Sequence, residues 1–393
     1  MMKKNLLATS ALVAAGALAS QGAIAESKPI EVKVGGYYEQ WVAYYNQNAD
    51  FDNGNGPERY GTGVDVQEDG EIYFEGSTTT DNGLTFGFNV QLETSTSNDQ
   101  IDENYLFVRG SFGEIVLGSE NGPAYVMHYG VDIDKGYGLE EGDTSFYWFS
   151  GTSNQLHTSR MWLIDNDAEK IRWISPRVEG FQIGASYIPE SRQDNELRTP
   201  NEAQNVGFFE DVFAAAINYD QTFNGLRVRT SLGGQYVGDD NGRASGGESE
   251  VWGVATGLRL GYGGFEGAVA YSHQNGTKLL SPFSFTGTTA NPDTNGVNAS
   301  TVDTIAAGVS YTDGPMAVSL TGAYGMSNND QPLAVDDTSR DTKQIVVLLG
   351  AGYTVGPGVA VKATAGYAQS ENITGRNQDF TGYVVATGIR LSF

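Results

Sequence analysis

Cysteine is absent from all 393 residues, which excludes disulfides, thiolate zinc sites and thiol catalysis. A chain without thiols also crosses an oxidising compartment unfolded with no risk of wrong pairing. Beyond residue 25 no apolar run approaches the roughly 20 residues of a membrane-spanning helix. The longest, Ile345 to Gly352, falls far short. Basic residues are scarce, with 23 Lys plus Arg against 48 Asp plus Glu. So acidic a surface repels phosphate backbones, which argues against a nucleic-acid partner. Histidine occurs only at His128, His157 and His273, and no Gly-x-Ser-x-Gly elbow accompanies any of them. A phosphate-cradling P-loop and a dinucleotide fingerprint are also missing, so the sequence offers no equipment for an enzyme.

What is present begins at the N-terminus. Lys3 and Lys4 precede an apolar stretch from Leu6 to Leu18, and Ala23-Ile24-Ala25 supplies small residues for cleavage. Residues 1–25 therefore read as a removed signal peptide, with residues 26–393 as one unit. Losing Lys3 and Lys4 takes the formal charge from -25 to -27.

The 52 Gly, 21 Tyr and 18 Phe favour aromatic-rich strands joined by glycine turns. From residue 30 onward apolar and small or polar residues alternate with period two, placing one set on each face of a strand. Near the C-terminus Tyr383, Val385, Thr387, Ile389, Leu391 and Phe393 share one face, with Ala386, Gly388, Arg390 and Ser392 on the other. The same split recurs at Leu84 to Glu93, Leu226 to Gln235, Trp252 to Leu260 and Val359 to Tyr367. These segments are longer than the roughly five or six residues usual in soluble sheets and suit tilted strands crossing a bilayer. Tyrosines such as Tyr219, Tyr262, Tyr311, Tyr353, Tyr367 and Tyr383 gather where the apolar faces end, as two interfacial girdles would.

Connections alternate too. Short turns, including Thr80 to Gly83, Thr222 to Gly225 and Gly261 to Gly264, alternate with long polar links such as Gln47 to Asp69, Ser119 to Ala168 and Thr277 to Ala299. Short turns on one rim and long loops on the other is the asymmetry of outer-membrane barrels. Counting segments predicts an all-β, roughly 16-stranded antiparallel transmembrane barrel, wide enough for an aqueous lumen.

The longest connection, residues 119–168, combines Asp132, Asp134, Glu140, Glu141 and Asp143 with the apolar run Tyr147-Trp148-Phe149. Folding it back into the lumen reconciles its length with its greasy content. The run Tyr105-Leu106-Phe107-Val108-Arg109-Gly110-Ser111-Phe112-Gly113-Glu114-Ile115-Val116-Leu117-Gly118, leading into this loop, resembles the strand-turn-strand passage of Gram-negative general (diffusion) porins, particularly the alphaproteobacterial type. The terminal strand ending in Phe393 resembles the signal read by the outer-membrane assembly machinery. The Pro-Glu-Phe-Gly-Gly loop motif of the enterobacterial branch is absent.

That resemblance implies a homotrimer in outer-membrane lipid, with the third loop as a constriction whose carboxylates face basic wall residues. By position the acidic side is Asp132, Asp134, Glu140, Glu141 and Asp143; by strand phase the basic side is Lys33, Arg109, Arg172, Lys362 and Arg390. Passive diffusion of ions and small hydrophilic solutes, with mild cation preference, is the function this implies. A substrate-specific channel is the alternative, although Arg227 and Arg229 are too few to make a basic ladder. A barrel-anchored enzyme or adhesin is more remote. No cofactor is required. Asp132 to Gly138 lacks the sixth-position Gly of an EF-hand, but Asp132, Asp134, Glu140 and Glu141 could hold calcium.

Overall fold

The computed structural model describes residues 29–48, 61–95, 100–139, 148–149, 158–160, 167–190, 210–239, 251–275, 301–328, 341–373 and 378–393. The expected leader, Glu140, Glu141, Asp143 and His157 lie outside them. Nearly all described residues are strand. The first five strands are β1 (Glu31–Gln47), β2 (Thr62–Thr79), β3 (Thr85–Glu93), β4 (Ile101–Gly110) and β5 (Gly113–Ser119). A short helix α1 (Pro123–Val126) follows, then β6 (Glu169–Ile174), β7 (Phe181–Glu190), β8 (Glu210–Phe223), β9 (Leu226–Asp239) and β10 (Trp252–Tyr262). The chain continues through β11 (Phe265–Asn275), β12 (Thr301–Asp313), β13 (Met316–Asn328), β14 (Thr342–Gly356), β15 (Val359–Ile373) and β16 (Gln378–Ser392).

Every strand pairs antiparallel with its sequence neighbours, and β1 pairs with β16 to close a barrel. Closure satisfies the backbone groups that an open edge would leave unpaired in hydrocarbon. The seam runs from Gln47 opposite Gly382 to Tyr37 opposite Ser392, and reciprocal bonds of 3.1 Å between Gly36 and Phe393 extend it to the last residue. Gly36 is one position where only glycine fits. Its φ is +151°, and a Cβ there would stand 2.2 Å from the Glu71 carbonyl oxygen of β2. Gly36→Val should therefore prevent β16–β1–β2 from closing. The expected result is loss of the compact, heat-modifiable band on cold electrophoresis, with Gly61→Val, whose Cβ meets nothing within 4 Å, as the tolerated control.

The alternation resolves into two faces. Leu232, Leu258, Leu260, Val269, Ile305, Val309, Leu320, Leu349, Val385 and Ile389 are all exposed and share the outward phase. So much contiguous apolar surface is untenable in water, where each such side chain forgoes about 1.5–3 kcal/mol of burial. A bilayer removes that cost. Aromatic pairs border the belt on the turn side, with Phe181 and Tyr219 4.7 Å apart and Phe265 and Tyr311 4.4 Å apart. On the loop side Tyr187 meets Phe213 at 5.1 Å and Tyr44 meets Tyr383 at 6.4 Å.

One boundary differs from the sequence reading. The link expected from Gln47 to Asp69 ends earlier, because β2 begins at Thr62 and pairs with β1 throughout. Val64, Val66 and Glu68 alternate there with Asp65, Gln67 and Asp69, so four polar residues among six disguised a strand as a loop.

Candidate pore site

The inward phase of β11 to β16 is lined by small or apolar residues as much as by polar ones. Ala268, Ala270, Ala306, Ala323, Val346, Ala368, Val384 and Ala386 form one buried cluster with Val131, Ile133, Tyr137, Leu139, Trp148 and Phe149 of the long loop. Short side chains on these strands leave room for the loop's apolar residues, whose burial supplies the driving force for seating it.

Its path is set by hydrogen bonds to inward-phase residues of successive strands. Pro123 opens α1 at a helical first turn, and Ala124 packs against Gly233 of β9. Asn218 of β8 donates to the Met127 carbonyl at 3.1 Å, and the Tyr129 amide donates to Ser231 of β9 at 2.8 Å. Arg259 of β10 donates through Nε to the Gly130 carbonyl at 2.6 Å. Farther on, the Lys135 amide donates to Ser319 of β13 at 2.8 Å and the Tyr137 amide to Thr364 of β15 at 2.6 Å. The Tyr137 ring then meets Trp41 of β1 edge-on at 4.8 Å. Gly257 and Gly136 permit the close passages, since a Cβ on either would stand 2.1 Å from an atom across the contact: the Tyr129 carbonyl oxygen or Thr364 Oγ1.

The predicted site residues fall into separate groups. Asp132 pairs with Arg160 at 3.0 Å and with Arg259. Asp134 accepts from the Leu139 amide at 3.0 Å and from the Thr321 hydroxyl. On the wall, Arg109 pairs with Glu114 at 2.6 Å and stacks over Phe107 at 3.9 Å. Arg172, almost fully buried, pairs with Glu114 at 3.2 Å and with Glu120. Lys362 reaches Glu39 at 3.2 Å, Arg390 pairs with the same carboxylate, and Arg390 lies 4.1 Å over the Tyr37 ring. Lys33 is exposed, opposite Glu75 on the same phase as Glu39. Each of these wall cations has a wall carboxylate as partner or cross-strand neighbour, and among the described residues two loop carboxylates also meet wall cations, Glu120 at Arg172 and Asp132 at Arg259.

Sequence reading passed over Arg259, although its signal was available: it stands between outward Leu258 and Leu260, so it faces in. Lipid-facing placement near the midplane would cost about 2–4 kcal/mol. The wall carboxylates Glu39, Asp69, Glu71, Glu75 and Glu103 share the inward phase of β1, β2 and β4, and tyrosine hydroxyls donate to two of them, Tyr37 to Asp69 at 3.3 Å and Tyr73 to Glu71 at 2.6 Å. Among the described residues, the carboxylates that converge closely enough to share an ion are Glu71, Glu93 and Asp102, and Asp102, Glu103 and Asp167.

His128 fastens both passes of the loop to the wall, its ring nitrogens lying 3.2 Å from Ser159 and 3.3 Å from Ser231. Burial, reinforced by the charges of Arg160 and Arg259, pushes its pKa down from 6.5 to about 3. A depressed histidine contributes stability that is complete above its ordinary pKa and is lost as pH falls through the folded value. The loop should therefore loosen between about pH 6.5 and pH 3, seen as growing current noise in a planar bilayer. His128→Asn, which keeps hydrogen-bonding capacity without titrating, should flatten that dependence.

A family model described as Gram-negative porin matches residues 8–374. The chain belongs to this family. Solved structures agree in fold. The anion-selective porin of Comamonas acidovorans is 16% identical, with 93% of this chain and 100% of that one covered and a TM-score of 0.56. The outer membrane channel DcaP of Acinetobacter baumannii is 12% identical over 93% and 97%, with a TM-score of 0.60. Salmonella typhi OmpF, solved in complex with daunomycin, is 12% identical over 93% and 97%, with a TM-score of 0.59. No curated protein sequence matches the chain. Family and fold support an outer-membrane channel.

Proposed function

We propose that this porin is a water-filled diffusion channel for ions and small hydrophilic solutes, mildly cation-selective, narrowed by residues 119–168 folded into the lumen. What supports the reading is the chain of bonds from Met127 to Tyr137 onto inward-phase residues of β8, β9, β10, β13 and β15. A segment so held takes up part of the bore without closing the backbone cylinder. The acidic inward sector of β1, β2 and β4 supports the cation preference, because carboxylates in a low-dielectric passage concentrate cations.

The proposal extends to a removed leader at residues 1–25, an alphaproteobacterial-type porin, a homotrimer in outer-membrane lipid, and recognition of the strand ending in Phe393 by the assembly machinery. Diffusion needs no cofactor. Calcium at Asp132, Asp134, Glu140 and Glu141 would act as a structural tie, read by comparing conductance before and after chelation.

Planar-bilayer conductance of the folded protein with graded sugars tests the channel, and reversal potential in a salt gradient tests its sign. Ohmic current falling as sugar size drops below the bore is expected; absence of current, or clear anion preference, would contradict the corresponding part. Neutralising Asp132, Asp134, Glu140 and Glu141 together should raise anion permeation, whereas unchanged selectivity would place them outside the constriction.

A further inference from the structure

On the short-turn side of the loop, four arginines surround Tyr129. The Arg177 guanidinium approaches its hydroxyl at 3.4 Å, and the guanidinium carbons of Arg229 and Arg259 lie 5.6 Å and 5.9 Å from its ring centre. Arg227 is two residues from Arg229 on the same inward phase of β9. Among the described residues two wall carboxylates answer them, and the loop's Asp132 is shared between Arg259 and a fifth arginine, Arg160. Asp220 is held by a two-bond fork from Arg227 at 2.8 Å and 2.5 Å, and Glu266 accepts from Arg229 at 2.6 Å with Arg259 at 4.0 Å. Among the described residues Arg177 donates only to neutral oxygens, the Gly180 carbonyl at 2.7 Å and Gln182 at 2.8 Å, besides Tyr129. Arg229 Nε is buried with no acceptor among the described residues.

Excess positive charge, an unanswered guanidinium donor and an exposed Arg177 amount to a site built for oxygen anions, inside a protein whose formal charge is -25. Guanidinium forks match carboxylate and phosphate geometry. We propose that Arg177, Arg227 and Arg229, with Tyr129, form an oxyanion station at which phosphate- or carboxylate-bearing solutes pause on their way through the pore. This rests on the channel reading and deepens it: bulk cation preference then coexists with transient retention of small polyvalent anions. The sequence shows only Arg227 and Arg229 side by side. The turn after β6 brings Arg177, β10 brings Arg259 and the loop brings Tyr129.

The test is single-channel current in KCl with inorganic phosphate added to one chamber at a time, and acetate as the carboxylate arm. Saturable reduction of current by phosphate, stronger from one side, is expected. In Arg177→Gln/Arg229→Gln the phosphate needed for half-reduction should rise about tenfold, as loss of two charge-assisted contacts implies. Arg177→Gln alone, on an exposed turn, should show part of the shift should the double variant fail to fold. Lys343→Gln, an exposed charge outside this cluster, should leave the reduction unchanged. A matching effect of acetate would support the station for carboxylates too. Current that ignores phosphate, or a reduction that survives both Arg variants, would overturn the station while leaving the channel intact; absence of current would instead overturn the channel.

Discussion

Gly257→Val should raise single-channel conductance about twofold and enlarge the sugar cutoff, because conductance of a water-filled neck scales with its open cross-section. Gly257 stands on the inward phase of β10, where even a Cβ would lie 2.1 Å from the Tyr129 carbonyl oxygen and 2.7 Å from its carbon. Backbone opposes backbone there, so no side chain can swing away. The strand is fixed by full-length pairing with β9 and β11, so the loop is the element that yields. Displacing residues 129 and 130 also breaks the Tyr129–Ser231 and Arg259–Gly130 bonds and opens the neck. Gly267→Val, on the outward phase of β11 with nothing within 4 Å of the added Cβ, should leave conductance unchanged.

Replacing Arg259 by Met should have the second large effect. Arg259 is almost fully buried, bonds the Gly130 carbonyl and pairs with Asp132. Removing one partner of a buried pair costs about 3 kcal/mol, because the other charge stays behind poorly compensated. Arg160, at 3.0 Å from Asp132, tempers that loss but belongs to the returning pass of the loop and not to a strand of the barrel. Loop protection, measured as amide exchange or as protease resistance between residues 119 and 168, should fall about a hundredfold, while heat-modifiability of the barrel persists. Asp132→Asn/Arg259→Met should be less damaging than Arg259→Met alone, since it leaves no stranded carboxylate.

The barrel was legible in the sequence because a membrane cylinder has one rule, outward apolar and inward small or polar, repeated at every second residue. Leu258-Arg259-Leu260 and Ile389-Arg390-Leu391 obey it without knowledge of their neighbours. Strand β2 escaped where its inward residues were Asp65, Gln67 and Asp69 and its outward ones included Glu68, since polar residues on both faces erase the contrast. The pore site was less legible because it depends on pairings between distant residues. Strand phase places Arg390 and Lys362 inward, but that both converge on Glu39, more than 320 positions away in sequence, follows only from closure between β1 and β16. The run of inward alanines on β11 to β16 reads as featureless in sequence; its meaning as a seat for Val131, Ile133 and Tyr137 appears only once the loop is laid on it.

The absence of cysteine makes one measurement especially direct. Single cysteines at Lys135, on the loop against β13, and at Leu258, in the outward belt, can be challenged with a charged, water-soluble thiol reagent during bilayer recording. A closed barrel, apolar outside and wet within, predicts that Lys135→Cys reacts and its current drops in discrete steps, while Leu258→Cys remains inert until a lipid-soluble reagent is supplied. Ready reaction at Leu258→Cys, together with current at Lys135→Cys that never changes, would contradict it.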